Sequence, residues 1–163
     1  MRVTNTSRYD LQRIKELLEF SARGVKDSGV EVHVKNSSRG WKAYAYSEIP
    51  YIANVAATSK YLITIHTSQW LPSTTWTNVQ RIDRLWPEGI PLDSWEDVFV
   101  RIAAHEFRHI WQFQRTERTG KGGKGEYDAE KFAFKRLNQW RGATKRLAVP
   151  ALPQPNPFIA IDK

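Results

Sequence analysis

The stretch AAHEFRHIWQFQ, Ala103–Gln114, lies in a run from Trp95 to about Arg118 that holds neither glycine nor proline. Val98, Ile102, His105 and His109 recur along it at steps of three and four, the period of one helix face. Ser94 followed by Asp97 gives the start of that helix a capping-box pattern. The stripe that carries the histidines is otherwise apolar and is expected to face the interior. Residues four apart on a helix stand about 6 Å apart, so His105 and His109 can reach one point while Glu106 turns to its side. Two buried imidazoles without partners are costly, and a shared cation removes that cost.

Downstream, TGKGGKGE (119–126) reads as a flexible connector, because the GxxxxGK[ST] phosphate-loop pattern is not matched. GEYDAEKFA (125–133) then opens a helix expected over Glu126 to about Arg141, with Ala129, Phe132, Ala133 and Leu137 on one face. Pro150, Pro153, Pro155 and Pro157 make residues 149–163 an extended tail, which leaves 1–148 as one domain.

Upstream, Ser7 and Asp10 form another capping-box pattern, and Leu11, Ile14 and Leu18 follow at helical spacing. A helix is expected from Ser7 to about Arg23. From Val30 the period changes to two: VEVHVK, WKAYAY and KYLITIHTS alternate, with YIANVA a fourth possible strand. The expected fold class is α+β, with a small, mostly antiparallel sheet. Gln69 to Asp93 carries three tryptophans and three prolines and is expected to form a packed covering loop.

The chain has 163 residues and is 40% hydrophobic, which suits a single domain with a real core. Its amino terminus has no apolar leader and no segment approaches the length of a membrane span, so an intracellular protein without a membrane partner is expected. The absence of cysteine excludes a disulfide framework, a cysteine zinc ribbon and a thiol nucleophile. Any metal must be held by histidine and carboxylate. The net charge of +8 is uneven: residues 1–100 carry 12 basic and 11 acidic groups, whereas 101–146 carry 12 and 5. That half suits nucleic acid or another anionic partner, or is a solvated basic face.

HEFRH (105–109) followed by E126-Y-D-A-E130-K-F-A resembles the gluzincin zinc metallopeptidases, the compact minigluzincins most closely and the SprT-like proteases more loosely. SprT-like proteins use a third histidine and often a cysteine-rich ribbon, which are missing here. The resemblance spans about residues 94–141 and implies a zincin-like domain with one catalytic Zn2+. It implies His105, His109 and Glu126 as ligands, Glu106 as the general base toward a peptide substrate, and Glu130 as the acid orienting a ligating histidine. Glu130 stands where aspartate is usual, and Asp128 competes with Glu126 as third ligand. The resemblance also implies an extended substrate against an edge strand, for which KYLITIHTS is the candidate. His66 and His33 are read as structural or surface groups, His66 being the better candidate for an oxyanion contact. The tryptophans are read as core or cleft wall, because no basic and aromatic interleaving is visible along the chain. The alternative function is a basic nucleic-acid-associated protein with a structural or vestigial zinc centre.

Overall fold

The structure, a computed structural model, describes residues 1–47, 58–69, 74–75, 90–115 and 123–147. Its elements in chain order are β1 (Arg2–Thr6), α1 (Leu11–Ala22), β2 (Val30–Asn36), β3 (Lys42–Tyr46), β4 (Tyr61–Thr67), β5 (Thr74–Thr75), β6 (Ile90–Pro91), α2 (Trp95–Arg115) and α3 (Gly123–Leu147). The YIANVA segment, most of the expected covering loop and the proline-rich tail lie outside the described residues. Among the described residues no helix is long and apolar enough to cross a membrane.

The α+β class holds, but the expected mostly antiparallel sheet does not. Four strands stand in the order β1-β2-β4-β3, with β1–β2 and β2–β4 parallel and only β3–β4 antiparallel. The first departure comes from β1, which carries Val3 alone among apolar residues and shows no alternation to read. Once β1 exists, α1 becomes a crossover between parallel neighbours. The second departure is β4, which inserts between β2 and β3. Val30, Val32, Val34, Ile63 and Ile65 pack beneath the helices, while Glu31, Leu62 and Thr64 on the other face are also buried. Burial on both faces belongs to interior parallel strands, not to the one-sided sheet that alternation suggests.

Helix α1 starts at Leu11, not at Ser7. Asp10 caps it by accepting from the Arg13 amide at 2.7 Å, while the Ser7 hydroxyl donates to Asn5 Oδ1 at 2.6 Å just past β1. The reach of the Asp10 carboxylate to the third helical amide outcompetes the expected box. Gly29 adopts φ +76° immediately before β2, and its carbonyl accepts from the amides of Lys60 and Tyr61, which joins the starts of β2 and β4.

Helix α2 begins as expected: Ser94 Oγ accepts from the Asp97 amide at 3.1 Å. Asp97 in turn accepts from the Asp93 amide and pairs with Arg141 of α3 at 2.6 Å. Ile14, Leu17 and Leu18 of α1 and Phe99, Val100, Ala103, Phe107 and Ile110 of α2 form one core with the sheet. Burying each of the larger of these side chains contributes about 2 kcal/mol. Helix α3 packs along α2 and is longer than expected, taking in Gly123 and Gly125, each a cost of about 1 kcal/mol to a helix. The tie from Gln112 Nε2 to the Gly125 carbonyl, 3.0 Å long, helps to offset that cost. Ala129, Ala133 and Leu137 are buried as expected, but Phe134 joins them in place of Phe132.

Candidate metal centre

The two expected histidines meet. His105 Nε2 and His109 Nε2 lie 3.0 Å apart on the buried side of α2. Glu126, in the first turn of α3, brings Oε2 to 3.4 Å from His105 Nε2 and Oε1 to 3.4 Å from His109 Nε2. One donor atom from each of the three residues falls within a 4.8 Å span, so the group could hold a metal ion. The 3.0 Å between the imidazoles and the 3.4 Å from each of them to its nearer Glu126 oxygen are close to the roughly 3.3 Å between ligand atoms around a tetrahedral ion, with the two histidines meeting different oxygens of the carboxylate. Glu126 also places its charge at a helix amino terminus, where the backbone dipole favours an anion.

Electrostatics divide the two imidazoles. Burial by itself lowers the His105 pKa, but the carboxylates of Glu126 and Glu130 beside its two nitrogens, with the nearby Glu106 charge, raise it to about 9. His109 is held below its usual value by burial and by the His105 charge. Glu126 is lowered, chiefly by its hydrogen bond to His105. Glu106 is buried beside the cluster, and that burial raises its pKa to about 7 against the opposing His105 charge. A backbone hydrogen bond from Ala45 of β3 also supports its ionised form.

Each histidine has a separate support at its other nitrogen. His105 Nδ1 faces Glu130 Oε1 at 3.4 Å, long for a hydrogen bond, and is buried with no closer partner. Arg101 clamps Glu130 through contacts of 2.8 and 2.6 Å, and its guanidinium stacks over Phe134. His109 Nδ1 donates to Gln112 Oε1 at 2.9 Å. Asp128 stands outside the donor cluster: Arg108 grips it at 2.6 and 3.0 Å, and Gln112 donates to it at 3.1 Å. Gln112 went unread in the sequence, although its spacing of three from His109 puts it on the same helix face.

The cluster opens into a cleft of about 340 Å3 lined by β3 from Ala43 to Tyr46 and by His105, Glu106, His109, Phe113 and Glu126. The strand beside the site is therefore β3, not KYLITIHTS. That segment forms β4, which is enclosed between β2 and β3. His66 lies on β4 against Tyr44 and does not line the cleft; His33 pairs with buried Glu31 at 2.8 Å. Comparison with protein-family models, curated proteins and solved structures returned no match.

Proposed function

We propose that this chain is a small zinc-dependent metallopeptidase with a zincin-like domain, in which His105, His109 and Glu126 hold one Zn2+. The observation that carries the reading is the convergence of those three donors on a cleft bordered by an outer strand. Bound there, zinc would polarise a peptide carbonyl and bring the pKa of a water toward about 7. Glu106 borders the same cleft beside the ligands, where its carboxylate accepts a proton from water and returns it to the leaving amine. The Ala45 contact fixes that carboxylate relative to β3. Among the described residues β3 pairs only with β4, which leaves its outer backbone edge to bind an extended peptide by main-chain hydrogen bonds. Cleavage of a mixed peptide library should stop after chelation and return on adding stoichiometric zinc. Cleavage that survives complete metal removal contradicts the proposal.

A second reading, a nucleic-acid-associated protein with a structural metal centre, draws on an arrangement that exists only in the fold. Arg115, Trp111, Arg108, Phe132, Arg136, Phe20 and Arg23 alternate across three helices, with guanidinium-to-ring distances from 3.7 to 5.7 Å. The basic and aromatic interleaving missing along the chain is present in space. Arg108 is already paired with Asp128, and the rings are already covered by guanidinium groups, which weakens the stripe as a platform for stacked bases. DNA binding that falls steeply with salt and is unchanged in Glu106→Gln would favour this reading.

A further inference from the structure

We infer that Gln112, held by Asp128 and Arg108, is the positioning residue that sets the ring orientation and tautomer of His109 for metal binding. The inference rests on the metal reading above and adds a group outside the three ligands, the base and Glu130.

A neutral imidazole binds a metal through one nitrogen only if its other nitrogen carries the proton. His109 Nε2 points into the donor cluster, and its Nδ1 stands 2.9 Å from Gln112 Oε1. The oxygen end of an amide in that place demands a proton on Nδ1 and so leaves the Nε2 lone pair for the ion. The amide turned over would present its NH2 group instead and favour the tautomer that cannot bind.

What prevents that turn is the surroundings of Gln112 Nε2. It donates to the Gly125 carbonyl at 3.0 Å and to Asp128 Oδ2 at 3.1 Å. Turning the amide over would set its oxygen against a carbonyl and a carboxylate. Asp128 is itself fixed by the two-pronged grip of Arg108, whose guanidinium lies 3.7 Å from the Trp111 ring centre. The proton on His109 is thus set by a chain of contacts that ends on Arg108. Gly125 and Asp128 flank Glu126 on α3, so the contacts also hold the third donor in register with the helix that carries the first two.

The test measures Zn2+ dissociation constants by competition with a chromophoric chelator for the wild type, Gln112→Ala, Asp128→Ala and the double variant, with far-UV circular dichroism as the check on folding. Gln112→Ala should bind zinc on the order of 10- to 100-fold more weakly. The double variant should lose clearly less than the product of the two single losses, because Asp128 acts through Gln112. If Gln112→Ala does not fold, Gln112→Met keeps the bulk without the amide and should show the same loss. Wild-type affinity in a folded Gln112 variant, or losses that multiply fully, overturns the relay while leaving the metal centre standing. A wild type that binds no zinc overturns the metal reading and the relay with it.

Discussion

His105 and His109 stand one helical turn apart on α2, yet their surroundings differ in charge, burial and source. The His105 side is ionic: Glu130 faces its Nδ1, and Arg101 clamps Glu130 where both are largely enclosed, at 14% and 9% side-chain exposure. The His109 side presents a neutral amide to the ring, and its ion pair, Arg108 with Asp128, lies further out at 20% and 41%. An anionic partner strengthens a ligand's donor power, whereas a neutral one fixes geometry at lower electrostatic cost. Two identical side chains one turn apart are thus tuned separately, His105 by a carboxylate from the next helix and His109 by an amide from its own.

The largest expected effect tests whether both sides belong to one centre. His105→Ala and His109→Ala should each take zinc content from one ion per chain to none, since each removes a ligand and orphans its buried neighbour. Full occupancy in either variant breaks the comparison at its root. The next effect separates the two arginines. Arg101→Met should destabilise the fold by about 3 kcal/mol, because the buried Glu130 carboxylate loses its guanidinium clamp and keeps only the longer contact to His105. Arg108→Met should cost about 1 kcal/mol or less, because Asp128 is far more open to water. Chemical denaturation of the two variants measures both values, and equal losses would erase the proposed contrast.

The histidine helix was legible because its signals are local: the Ser94 cap, the uninterrupted run and the spacing of His105 and His109 all lie within one segment. Glu126 was legible by resemblance, and the structure brings it to both histidines. It sends Asp128 to Arg108 and Gln112, and Glu130 to Arg101 and the far side of His105. Those pairings join residues 16 to 29 positions apart and depend on how α3 lies along α2, which helical periodicity does not encode. The sheet was less legible. Strand β1 has too little apolar pattern to announce itself, and the insertion of β4 depends on pairing partners, not on the alternation within each strand. For that reason the sequence points to KYLITIHTS as the cleft-side strand, whereas residues of the strand at Lys42–Tyr46 line the cleft.

Zinc content measured beside peptide hydrolysis in the wild type and Glu106→Gln separates the base from the ligands. Glu106 borders the cleft but is not among the three grouped donors, so its amide variant should retain one zinc per chain and a native fold while losing hydrolysis by at least about 100-fold. Near-wild-type cleavage by a zinc-loaded Glu106→Gln protein would contradict the role of Glu106 as the base of a metallopeptidase.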